Sequence, residues 1–242
     1  MKEMRNWKTT HGVVVYQILS GRCNCYLVEY EKQFILIDTS RKRYWPELKK
    51  RLHEIMGCDY LSFTLILTHA HFDHVENAYD LKTEFNCPVF LHIKAAPYLE
   101  VGSNPDIEGT YIFSKFIALF RNIPGILKTI DYEPCEPTEL IVSDMDITPL
   151  GIPGKIVCTP GHTKGSISII LDDEVAIVGD AMIGLIKKRI FPPFGQDGMG
   201  IVKSWKKLLD CRCVSYLPSH GKGRNYFDVL GEYNYYKEKF KI

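Results

Sequence analysis

No stretch of the chain approaches the ~20 consecutive apolar residues that span a bilayer, which speaks against a membrane-crossing helix and a membrane partner. The chain also lacks an excess of either charge: 30 Lys and Arg stand against 29 Asp and Glu, a formal net charge of +1. Without a basic arm or stripe, nucleic acid is not an expected partner. There is no low-complexity segment and no sustained short repeat. The Cys-x2-Cys spacing of common zinc sites is missing as well. The eight cysteines include two tight pairs, Cys23 with Cys25 and Cys211 with Cys213, but each is spaced Cys-x-Cys and reads as an ordinary strand or helix-end pair. The first ten residues are charged and polar. The apolar stretch after them is broken by Gln17, so it reads as a strand rather than a secretory leader. These features together predict a cytoplasmic protein with reduced thiols.

The 242 residues suit an α/β chain with a sizeable core, and 45% hydrophobic with 24% charged residues is ordinary globular composition. Short apolar runs at residues 13–18, 25–29, 33–37, 63–67 and 88–92 predict strands, with helices over 44–56 and 74–84. The second half repeats the style, with strands at 156–159, 166–171, 174–178 and 214–217 and helices at 202–209 and 228–240. Runs of strands that end in helices predict two packed sheets with helices outside. Residues 98–137 break this rhythm. An apolar helix pair there, interrupted at Pro124 and Gly125, is either plain core or a cap over an active site.

The densest chemistry lies in Thr68-His69-Ala70-His71-Phe72-Asp73-His74. Three histidines and an aspartate within six residues fit a core badly unless a cation organises them. The motif starts where the buried strand 63–67 ends. In extended geometry His69 and His71 point to one side, and Asp73 and His74 begin the next helix. Three more ligand-type residues follow their own strands: His162 after a Pro-Gly turn, Asp180 after 175–179, and His220 after Pro218-Ser219. Loops at such strand ends converge over a rigid base, which predicts one site with seven ligands. His11, His53 and His92 read as structural or surface residues. Asp38, at the end of 33–37, is placed either to hydrogen-bond a ligand histidine and fix its tautomer or to cap a turn with Thr39 and Ser40.

These motifs, followed by Thr-Pro-Gly-His-Thr, Gly-Asp and a late Ser-His-Gly, resemble the metallo-β-lactamase superfamily over roughly Cys25 to Gly221. The resemblance implies an αββα sandwich, with residues 1–242 as one domain and 98–137 as a helical insertion or cap. It implies His69, His71 and His162 on one divalent cation, Asp73, His74 and His220 on a second, and Asp180 bridging both. A solvent molecule shared by the cations would be the nucleophile, and Asp73 would accept a proton. The donor set suits zinc, with iron or manganese as alternatives.

Asp180 stands where true β-lactamases carry Cys or Ser, which argues against antibiotic hydrolysis. His71 stands where flavodiiron oxidoreductases carry Glu. The ligand set matches glyoxalase II, the lactonases and ribonuclease Z, yet each comparison lacks a part. Only 22 residues follow His220, too few for the helical thioester-binding domain of glyoxalase II, and no tyrosine follows Asp180 closely as in homoserine lactonases. No basic arm suits transfer RNA. The expected activity is therefore hydrolysis of a small ester-like bond in a thioester, lactone or carboxylic ester. A phosphodiesterase and a non-catalytic metal-binding protein are the alternatives. Lys187, Lys188 and Arg189 form a solvated face or attract an anionic small-molecule substrate, while Phe191 and Phe194 would bind its apolar part.

Overall fold

A computed structural model of the chain describes residues 4–21, 23–57, 62–121, 131–186 and 189–242. Its first half runs β1 (Asn6–Lys8), β2 (Val14–Leu19), β3 (Cys25–Tyr30), β4 (Gln33–Ile37), α1 (Trp45–Met56), β5 (Thr64–Ile66), α2 (Phe72–Val75), α3 (Ala78–Phe85), β6 (Val89–His92), α4 (Ala96–Val101), α5 (Ile112–Arg121) and β7 (Glu139–Ile141). The second half runs β8 (Met145–Asp146), β9 (Gly154–Cys158), β10 (Ile167–Leu171), β11 (Val175–Gly179), α6 (Gly198–Asp210), β12 (Ser215–Pro218), β13 (Arg224–Asn225) and α7 (Tyr226–Phe240). Strands β1 to β7 form one sheet in sequence order, and β13-β12-β11-β10-β9-β8 form the other. No helix among the described residues is long and apolar enough to cross a membrane.

The period-2 alternation of side chains divides each strand between two cores. Along β3, Tyr26 and Val28 face the second sheet, while Leu27 faces outward to the helices. The inter-sheet core joins Val15, Val28, Ile35 and Ile37 to Ile156, Ile169, Ile177 and Leu217. On the outer face of the first sheet, Leu36, Leu65 and Leu91 meet Leu48 and Leu52 of α1, Leu81 of α3 and Leu99 of α4. On the outer face of the second, Val157, Ile170 and Val178 meet Trp205 and Leu208 of α6 and Val229 and Tyr236 of α7. The layers are helix, sheet, sheet, helix, as the resemblance implied.

The helix expected over 74–84 is two helices, α2 and α3, with a break at Glu76-Asn77. The cause is tertiary. The carbonyl of His74, which a continuous helix would use internally, instead accepts the backbone N–H of Thr39 at 2.7 Å and the Thr39 hydroxyl at 2.9 Å. Asn77 then donates its side-chain amide to the carbonyls of Thr39, Ser40 and Arg41. Strands β1, β7, β8 and β13 and helix α4 were not expected from the sequence. In the 98–137 region, α5 is present and Gly109 and Thr110 hold to a distant segment described below. Pro124 and Gly125 lie outside the described residues, as do Cys58, Lys187 and Lys188.

Candidate metal centre

All seven proposed ligands sit at the carboxyl ends of strands or just beyond them. Strand β5 delivers His69 and His71 and then α2, which carries Asp73 and His74. The turn after β9 delivers His162, Asp180 directly follows β11, and β12 leads to His220. Two backbone bonds bring the sheets together beneath these loops: Ile167 N–H to the Thr68 carbonyl at 2.9 Å, and Asn24 N–H to the Ser219 carbonyl at 2.7 Å. The side chains that meet there are buried or nearly so.

The donor atoms form two groups. In the first, Nδ1 of His71 lies 2.9 Å from Nε2 of His69 and 2.9 Å from Nε2 of His162. In the second, Nε2 of His220 lies 3.6 Å from Oδ2 of Asp73, and Nε2 of His74 lies 3.9 Å from Oδ1 of Asp73. Asp180 stands between them. Its Oδ2 is 3.5 Å from Nε2 of His162 and 3.3 Å from Nε2 of His220, and its Oδ1 is 3.7 Å from Nε2 of His74.

Hydrogen bonds behind the cluster set which nitrogen of each ring faces inward. His162 Nδ1–H donates to the Phe194 carbonyl at 3.0 Å, so its Nε2 presents a lone pair. His74 Nδ1–H donates to Oδ2 of Asp38 at 2.8 Å, which turns its Nε2 toward the cluster, where a cation would take the place of a proton. Of the two placements the sequence left open for Asp38, the hydrogen bond to a histidine of the cluster is present. Its carboxylate also accepts from the Thr68 backbone and hydroxyl and from the Ser219 hydroxyl.

The cluster suits a cation. Nε2 of His74 and Oδ1 of Asp180 are buried without a hydrogen-bond partner, and unmatched buried polar atoms are costly. Burial holds His69 well below the ordinary histidine range, helped by His74 and His71, and burial also lowers His162, so both offer neutral nitrogens. Burial would likewise lower His74, but Asp38, Asp180 and Asp73 outweigh it and push the group up to about 10. Burial would raise Asp180, but His220, His74 and His162 outweigh it and hold it well below the carboxylate range. The carboxylates therefore call for positive charge at this point, which a divalent cation supplies more fully than a proton.

A pocket of ≈ 450 Å³ opens over His71, Asp73, His162, Asp180 and His220. Phe194 is among its lining residues. Phe191 is a correction: it is only 3% exposed and packs among Trp205, Tyr236 and Phe240, so Pro192 and Pro193 form the wall in its place. Arg189 is exposed, forms an isolated bridge with Ile186 and is not part of the pocket lining.

Several supporting residues escaped the sequence reading. Thr68 and Ser219 lie inside the quoted motifs, which was the available signal. Asn104 accepts the Phe72 N–H at 2.7 Å, and the Tyr132 hydroxyl lies 3.0 Å from the Ala70 carbonyl and 2.6 Å from that of Ser103; no pattern announces either. Cys23 Sγ lies 3.7 Å from Nδ1 of His74, but burial keeps it a thiol that donates to the Asn24 carbonyl.

Comparison with known proteins agrees with this geometry. A family model described as "Metallo-beta-lactamase superfamily" matches residues 20–220. The chain is 27% identical to the "Probable metallo-hydrolase YflN" of Bacillus subtilis over 93% of this chain and 89% of that one. It is 31% identical to the "Probable metallo-hydrolase MJ0888" of Methanocaldococcus jannaschii over 66% of each. Among solved structures, the BLEG-1 B3 metallo-beta-lactamase superposes with a TM-score of 0.63 at 18% identity, covering 95% of this chain and 97% of that one. The GOB-18 metallo-beta-lactamase of Elizabethkingia meningoseptica superposes with a TM-score of 0.62 at 20% identity, covering 97% and 93%. At such identities the likeness is one of fold alone.

Proposed function

Because the chain belongs to the metallo-β-lactamase superfamily and its seven donor side chains converge beneath an open pocket, we propose that it is a two-cation hydrolase of a small ester-like bond, in a thioester, lactone or carboxylic ester. His69, His71 and His162 would hold one cation, and Asp73, His74 and His220 the other. Asp180 would serve both, since its carboxylate reaches each group. Zinc is the first choice for this His and Asp set, with iron or manganese next. Cations held here would supply an acidified water and polarise a carbonyl oxygen.

The chain's own residues do the positioning. Asp38 and the Phe194 carbonyl each fix a histidine tautomer. Asp73 has an oxygen near His220 and faces the pocket, where it can take up a proton from the attacking water or pass one to the leaving group. The thiols of Cys23, Cys25, Cys87, Cys135, Cys158, Cys211 and Cys213 are unbridged, which supports the reading of a reducing, cytoplasmic setting.

One observation carries the proposal: Asp180 lies within 3.3–3.7 Å of histidine nitrogens from both donor groups. An ester-like substrate is favoured over a phosphodiester because no lysine or arginine lines the pocket among the described residues. The test is metal analysis of purified protein joined to a panel of thioesters, lactones, carboxylic esters and phosphodiesters. Two divalent ions per chain with turnover of one ester-like class is the expected result. A single ion, or turnover confined to phosphodiesters, overturns it.

A further inference from the structure

The pocket wall bears on what the substrate carries. Beyond the donor cluster, its lining includes Ile107, Ile183, Leu185, Pro192, Pro193 and Phe194, and the remaining two residues, Gly21 and Phe72, are apolar as well. Leu185 is 64% exposed, so the wall continues outward from the cluster to solvent. A concave face lined by apolar side chains above a polar cluster is the usual make-up of a ligand-recognition surface.

The wall is also built to keep its shape. The loop before α5 is strapped to the segment that follows Phe191. Thr110 N–H donates to the Pro193 carbonyl at 3.0 Å, and the Thr110 hydroxyl donates to the Pro192 carbonyl at 2.5 Å. Gly195 N–H donates to the Glu108 carbonyl at 2.9 Å, and the Gln196 side chain donates to the Asp106 carbonyl at 3.0 Å. Gly109 pairs with Phe194 as an antiparallel bridge. These bonds fasten the loop that carries Ile107 beside the segment that carries Pro192 and Pro193. The Phe194 carbonyl also takes the Nδ1–H of His162, so the wall begins at the donor cluster itself. A chain attached directly to the reacting carbonyl meets apolar surface from its first methylenes.

We propose that this wall is an acyl-chain subsite, and that the substrate is an ester, thioester or lactone bearing an unbranched apolar acyl chain. The proposal rests on the hydrolase reading for the reaction but not for the binding. The chain lies along Ile107, Pro192, Pro193 and Phe194, which share this wall, with the exposed Leu185 at its outer end. Each methylene that leaves water for this surface strengthens binding up to about fourfold. A polar or charged acyl group would lose its hydration there without a partner.

The test is calorimetric titration of the zinc-loaded protein with straight-chain carboxylates from acetate to decanoate, beside turnover of p-nitrophenyl esters of the same acids. The carboxylate head is constant along the series, so the slope with chain length reports the wall alone. Affinity is expected to rise about twofold to fourfold per methylene from butyrate onward until the pocket is filled, with a negative heat-capacity change. Ile107→Asn and Phe194→Ala are each expected to flatten that slope, reducing the ratio of decanoate to acetate affinity at least tenfold. Affinity independent of chain length overturns the subsite even if the short esters are hydrolysed. So does a slope that survives both substitutions. A clear slope with no ester turned over supports the subsite and overturns the hydrolase reading instead.

Discussion

Asp38 shows how much of the centre depends on a residue that touches no substrate. It holds a left-handed backbone conformation, φ +59°, and is 1% exposed. From there it receives His74 Nδ1–H, the Thr68 backbone and hydroxyl, and the Ser219 hydroxyl. Asp38→Asn keeps the shape but loses the charge that fixes the His74 tautomer. Divalent-ion affinity is expected to fall about 10- to 100-fold, read by competition with a chromophoric chelator; an unchanged affinity would remove Asp38 from the positioning role. Asp180→Ala strikes both donor groups and is expected to lose at least one ion per chain and most turnover. Unchanged ion content together with unchanged turnover would refute the ligand assignment. The seven donor residues stand out in the sequence because each is a residue type that a buried strand end tolerates poorly without a cation. Phe191 misled because an aromatic after a basic run reads the same whether it faces a pocket or the core, and only the packing of Trp205, Tyr236 and Phe240 settles which.

At the scale of the element, long patterned segments announce themselves and short ones do not. Strands β3, β4, β10 and β11 could be read because five or six residues suffice to show a buried run. Strands β1, β7, β8 and β13 have two or three residues, too few for any period. The split of α2 from α3 was hidden for a different reason: the bond that breaks the ladder comes from Thr39, 35 positions away. Helix α6 offers a contrast in magnitudes. Its N-cap, Asp197, accepts the Gly200 N–H at 2.9 Å, whereas Trp205 is fully buried and donates its indole N–H to the Ala181 carbonyl at 2.6 Å. Asp197→Ala is expected to cost about 1 kcal/mol of unfolding free energy and Trp205→Ala about 3–5 kcal/mol. Urea denaturation distinguishes them, and equal costs would contradict the packing described.

On the scale of the whole molecule, stability is expected to follow divalent ions and not reductant. Ligand present at about 100 times its dissociation constant adds ~2.7 kcal/mol to the folded state. The melting temperature is therefore expected to fall on chelation and to return on adding zinc, while a thiol reductant leaves it unchanged because the described cysteines are unbridged. A drop with reductant alone would point to a disulfide. Sequence conveyed the layered architecture through its alternation of strands and helices. It did not convey that residues 106–110 and 192–196 close on one another, because segments some 80 positions apart carry no shared pattern.

The donors come from both halves of the sandwich: His69, His71, Asp73 and His74 hang from the first sheet, His162, Asp180 and His220 from the second. Any cation held by donors from both halves would be a rivet through the seam between them. Its arrival should slow amide hydrogen exchange at the ends of β5, β9, β11 and β12 together, and its removal should let the two sheets breathe apart at that edge first.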